Sequence, residues 1–162
     1  MDRFQPFYKV YTSRSQVKAP DILEFHSGKP IEPAAEKPAS GYWTAGQGMA
    51  FGRSPDSIFV RRTALAPLAR QLQAAHPGFG RHGESRFTRR QLMTLLARLD
   101  HAATFIEHAR SIEDLRVLDV AALQERPGFH SLKGELGRMV GDLRFFLQGT
   151  LRRNRTLWIL EP

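Results

Sequence analysis

Between Thr88 and Ala109 the chain carries a hydrophobic repeat suited to a helix. Leu92, Leu95, Leu96, Leu99, Ala102, Ala103 and Ile106 recur at intervals of three and four, so they fall on one stripe. Thr88 and Gln91 form a capping box at its start: the threonine oxygen can accept from the third helical N–H while the glutamine side chain reaches back. A helix from Arg89 to Ala109 would be about 30 Å long at ~1.5 Å per residue. An apolar stripe of that length needs burial along its whole extent, which makes this helix a core element of the fold.

The same period recurs on both sides. Leu65, Leu68, Ala69, Leu72 and Ala75 predict a helix with Thr63 as N-cap and His76-Pro77-Gly78 as its stop. A polar, glycine-containing loop is expected over Gly78 to Arg86. Ser111 to Asp114 has the form of a second capping box, opening a short helix through Leu115 and Leu118, with Asp119 placed to cap a further turn before Pro127-Gly128. A last helix is expected after Ser131, with Leu132, Leu136, Met139, Val140, Leu143 and Leu147 inward and Gly149 ending it.

Before residue 63 the pattern is different. Phe7 to Thr12, Asp21 to His26, Tyr42 to Thr44 and Ser57 to Arg61 are short aromatic or β-branched runs that predict strands, and Thr156 to Leu160 predicts another at the C-terminal end. The proline-containing stretch Ser27 to Gly41 reads as an extended connector. The expected fold class is α+β. A small, mostly antiparallel sheet from the N-terminal part, joined by the C-terminal strand, packs with about four amphipathic helices. A single domain over 1–162 is expected: strand- and loop-rich over 1–62, helical over 63–149, and a basic tail with the terminal strand over 150–162.

The chain has 162 residues, enough to bury a substantial core, and no cysteine. Disulfides, thiolate metal sites and cysteine nucleophiles are thereby excluded. MDRFQPFYKV lacks the apolar core of a signal peptide, and no apolar run approaches the ~20 residues that span a bilayer, so a cytoplasmic location is expected. The net charge is +8, carried mostly by arginine. A GC-rich genome favours arginine over lysine, which points to a bacterial source and lightens the functional weight of the charge. A basic chain is nonetheless attracted to nucleic acid, anionic surfaces or acidic proteins.

Few motifs carry chemistry. Gly46-Gln47-Gly48-Met49-Ala50-Phe51-Gly52 departs from both phosphate-binding glycine patterns: Phe51 stands where the dinucleotide fingerprint needs its third glycine, and Arg53-Ser54 replaces the P-loop lysine pair. A turn is expected there. His101 and His108 are two turns apart on a helix, whereas zinc-binding histidines are normally one turn apart, so no metal site and no cofactor are expected. Glu24 and His26 share a strand face and, with Trp43, form the one acid–base site that can be nominated.

The remaining signals point to binding. Arginines cluster at Arg61-Arg62, at Arg86 with Arg89 and Arg90, and at Arg152-Arg153 with Arg155 beside Trp158. Arg89 and Arg90 sit where cations oppose the helix dipole, as if something anionic offsets them. On the last helix Gly134, Gly137, Gly141 and Phe145 lie on one arc opposite the apolar face. Each glycine costs a helix roughly 0.8–1 kcal/mol relative to alanine, so the arc suggests a close backbone approach, by the protein's own sheet or by a partner anchored on Phe145. The favoured function is therefore a non-catalytic protein-binding domain, with an immunity-type neutraliser of a toxin or effector as one class that fits and an acidic protein as partner. The alternatives are a nucleic-acid binder using the arginine clusters, and an enzyme whose site is assembled from distant residues.

Overall fold

The structure, a computed structural model, describes residues 22–28, 57–80, 84–118 and 128–160. The strands expected at Phe7 to Thr12 and Tyr42 to Thr44 lie outside these residues, as do the Ser27–Gly41 connector beyond Gly28, the Gly46–Gly52 turn, Trp43 and the cap at Asp119.

Four strands form an antiparallel sheet: β1 (Ile22–Ser27), β2 (Ser57–Arg61), β3 (Glu84–Phe87) and β4 (Leu157–Leu160), in the order β2-β1-β4-β3. The expected C-terminal strand thus joins the N-terminal sheet, pairing with β1 from Glu24↔Leu160 to Ser27↔Leu157. The helices are α1 (Arg62–Leu65), α2 (Ala69–Ala75), α3 (Arg89–His108) and α4 (Phe129–Arg152), so the α+β class holds, with one of the four only a single turn.

Several boundaries differ from expectation. The stretch read as a loop contains β3, whose residues Glu84, Ser85 and Arg86 carry no β-branched or apolar signal; Phe87 alone marks its buried face. The first helix begins at Arg62 with no side-chain cap from Thr63, and Pro67 breaks it into a 3-10 turn over Ala66–Leu68. Of the capping box expected at Ser111, the serine side-chain bond is absent and the bond reaching back from Asp114 forms. Asp114 Oδ2 accepts from the backbone N–H groups of Ser111 (3.2 Å) and also Arg110 (2.7 Å), and the segment Glu113–Val117 is a 3-10 helix. α4 starts at Phe129, before Ser131, and runs past Gly149 to Arg152.

The true stop of α4 is Asn154, at φ 53° in the left-handed region. Its N–H donates to Leu151 O (3.0 Å) and the N–H of Arg155 to Thr150 O (3.0 Å), the paired bonds of a Schellman cap with asparagine in place of glycine. The cap at Thr88 is as expected: Gln91 N–H donates to Thr88 Oγ1 at 3.2 Å and Thr88 N–H to Gln91 Oε1 at 2.9 Å.

Residues directly opposite in antiparallel strands share a face. Leu23, Phe25, Val60, Phe87, Leu157 and Ile159 form one face and join a single apolar core with the inner stripes of α2, α3 and α4. The stripes are those read from the sequence, with Leu92, Leu95, Leu99, Leu136, Met139 and Val140 fully buried.

α3 and α4 run antiparallel. Lys133, in the second turn of α4, donates to the carbonyls of Glu107 (2.9 Å) and Ala109 (2.8 Å) at the end of α3. At the other end of the pair, Arg89 from the first turn of α3 donates to Asn154 Oδ1 (3.0 Å) at the end of α4. Each helix therefore places a cation at its neighbour's C-terminus, where partial negative charge collects. The placement of Arg89 that looks unfavourable for its own helix is favourable for the next one.

Candidate functional site

The sheet face away from the helices carries a polar row. Ser57 on β2, His26 on β1, Trp158 on β4 and Arg86 on β3 are cross-strand neighbours, with Phe59, Glu24, Leu160 and Glu84 as the adjoining row. Glu24, His26, Ser57, Phe59 and Leu160 are buried. Strand alternation had paired Glu24 with His26. It could not supply Ser57, which is 33 positions from Glu24 and joins it through the β1–β2 register.

Ser57 Oγ donates to Glu24 Oε1 at 2.6 Å, which leaves the hydroxyl to accept from His26 Nδ1 at 2.8 Å. Burial pushes the Glu24 carboxyl up from 4.5 to about 7, against the lowering effect of the serine hydrogen bond. A serine nucleophile needs its proton taken by histidine, with the carboxylate on the histidine's far nitrogen. With Glu24 ionised the serine proton goes to the carboxylate, and the His26 tautomer that carries its proton on Nδ1 then donates to the serine oxygen. The chemistry this order suits is fixing the register of β1 on β2, with Glu24 Oε1 and Ser57 Oγ paired and Glu24 Oε2 buried without a hydrogen-bond partner among the described residues.

The second grouping lies at the end of the molecule where α3 begins and α4 ends. Arg86 stacks over Trp158, its guanidinium carbon 5.7 Å from the ring centroid. Arg89 is held by Asn154, and Arg153 Nε donates to Gly149 O at 3.2 Å. Arg155 lies against Gly28, whose φ of 119° requires glycine and whose N–H bonds Thr156 O at 2.8 Å. Fold and register thus bring the two arginine clusters, Arg86-Arg89-Arg90 and Arg152-Arg153-Arg155, to one end, although more than 60 positions separate them in sequence. Trp158 is only half exposed, between paired strands and under Arg86. It offers no open aromatic platform for stacking bases.

The glycine arc turns outward. Among the described residues, a Cβ on Gly134 or Gly141 would meet nothing within 4 Å, and one on Gly137 would touch only Ile106 Cγ2 at 3.8 Å. The four described strands therefore do not approach it, because the core they share with α4 lies on that helix's opposite side. Phe145 stands 74 % exposed on this outer face. Gly134, Gly137, Gly141, Phe145 and Arg152 follow one another at helical spacing, so the outer face of α4 leads into the arginine end.

The histidines of α3 are exposed, His108 donating from Nδ1 to Thr104 O at 2.9 Å. No group of three or more histidines and carboxylates that could hold a metal occurs among the described residues, and none of their helices is long and apolar enough to cross a membrane. Two residues that sequence reasoning missed are Asn154, whose residue type suits a left-handed cap, and Glu135, a carboxylate buried on the inward side of α4 with no sequence signal for it.

The chain matches no known family model, no curated protein and no solved structure.

Proposed function

We propose that this chain is a non-catalytic protein-binding domain whose arginine end and outer α4 face receive an acidic protein. The observation that carries this reading is the Arg89–Asn154 contact, which sets the first turn of α3, with Arg90, beside the end of α4, with Arg152 and Arg153, while Arg86 and Arg155 lie on the chain leading into the two neighbouring elements. Arginine forks suit carboxylate recognition. Phe145, exposed on the adjoining helix face, supplies the kind of aromatic anchor on which binding energy concentrates. A neutraliser of a cognate toxin or effector is one bacterial protein class with these properties, and the shielded order of Glu24, Ser57 and His26 favours binding over catalysis. The covered Trp158 ring favours a protein over single-stranded nucleic acid.

The test is affinity capture with the wild-type chain and with an Arg90→Glu, Arg152→Glu double variant. The captured protein is then purified and titrated directly. An acidic partner that binds the wild type and loses at least about tenfold in affinity to the double variant supports the reading. A mobility shift with generic RNA or DNA at low salt that disappears at moderate salt would instead support nucleic-acid binding.

A further inference from the structure

A groove of about 640 Å³ lies between α2 and α3, along the edge of the apolar stripe of α3, and is lined by Arg70, Gln71, Thr94, Arg98 and His101 with Ala97 and Ala102. Its size falls within the range of small-molecule sites, roughly 300–1,000 Å³. It begins one turn beyond Arg90, whose carbonyl accepts from Thr94 Oγ1 at 3.0 Å, and it contains none of the arginines assigned to the partner surface.

Its electrostatics are one-sided. Arg70 comes from α2 and Arg98 from α3, and no carboxylate lines the groove among the described residues. The nearest acid in sequence, Asp100, is engaged elsewhere: its Oδ1 pairs with Arg144 Nε of α4 at 2.6 Å. Two guanidinium groups facing one cleft repel each other unless an anion sits between them.

The side chains are also oriented in advance. Gln71 is buried, and its Oε1 accepts a long hydrogen bond from Arg98 Nη1 at 3.4 Å, tying that guanidinium to the groove. The His101 ring is held edge-on against Phe105, centroids 4.8 Å apart. Side chains held this way lose less freedom when they bind. Two forked cations from opposite walls and an imidazole can together meet an anion with several acceptor oxygens and two charges. Ala97 and Ala102 leave an apolar flank beside them.

We propose that this groove binds the dianionic head of a small phosphate monoester, with Arg70 and Arg98 on the phosphate oxygens and the organic portion along the alanine flank. The test is a titration of the isotope-labelled full chain with sodium phosphate, with glycerol 3-phosphate and with sodium chloride at matched ionic strength. It is followed by NMR at the Arg70 and Arg98 side-chain N–H groups and the His101 amide. Both phosphates should give saturable shifts at these positions, and the monoester should bind more tightly. Arg70→Gln and Arg98→Gln should each weaken binding by about tenfold with the remaining spectrum unchanged, and Arg89→Gln should leave it intact. Non-saturating shifts, equal shifts with chloride, or binding that survives both groove variants would overturn the site. Binding of inorganic phosphate without the monoester would overturn the monoester assignment.

Discussion

At the scale of single residues, the most consequential group is Glu24. Its carboxyl is held at about 7 in the folded protein against an ordinary 4.5, chiefly by burial. The folded chain therefore binds this proton more tightly than the unfolded chain does. Stability falls as pH rises from about 4.5 towards 7 and is level above that, a linkage of about 3 kcal/mol. Glu24→Gln keeps an acceptor for Ser57 and cannot ionise, so the variant should gain on the wild type as pH rises through this window. Urea denaturation at pH 4.5, 6 and 8 measures it. A stability difference that does not grow with pH would show that Glu24 is not the titrating group. Half of this site was legible, because alternation places Glu24 and His26 on one face of any strand they occupy. Ser57 was not, because hydrogen bonding across a strand pair depends on register, and register is set by the fold. The same applies to the contact of Asn154 with Arg89, which joins positions 65 apart and exists only once α3 and α4 have docked.

Among the elements, α3 and α4 were the most legible, since a stripe repeated over five or six turns leaves little freedom in assigning a helix. Their ends were harder. α3 has no glycine at its C-terminus, and Ala109 there is extended. Two of its last carbonyls are met by Lys133 from the neighbouring helix, a contact across 24 and 26 positions. Lys133→Met should cost about 1–2 kcal/mol of stability, because it leaves those carbonyls without their charged donor. A chemical-denaturation midpoint equal to the wild type would remove the cross-capping role. β3 shows the opposite case: three polar residues form a strand because β4 offers a paired edge, with no propensity of their own to announce it. The glycines of α4 were visible as an arc, but not the side to which the arc turns. With open space among the described residues at Gly134 and Gly141, alanine meets no clash there, so Gly134→Ala and Gly141→Ala should each stabilise the helix by about 0.8–1 kcal/mol. Thermal unfolding checks this. A loss of stability would show that these positions are packed.

For the molecule as a whole, the charge separates two contributions to binding that a single affinity would merge. The chain carries a net charge of +8, and its fold gathers six arginines at one end. Such a field acts over about 10 Å at 0.1 M salt, so it accelerates the approach of an acidic partner before any contact forms. Phe145, uncharged and exposed on the outer face of α4, acts only after contact. The two groups should therefore fail differently when changed. With the captured partner, replacing Arg90 and Arg152 by glutamine should lower the association rate about tenfold at low salt, and the loss should shrink as salt is raised. Phe145→Ala should leave the association rate and its salt dependence nearly unchanged while speeding dissociation by about tenfold or more. Stopped-flow or surface-based kinetics at 20 mM and 500 mM salt would resolve both. An association rate insensitive to salt would remove the arginine end as the steering surface. A Phe145 variant with unaltered dissociation would confine the interface to the arginines, since an anchor that leaves the complex lifetime unchanged is not buried in it.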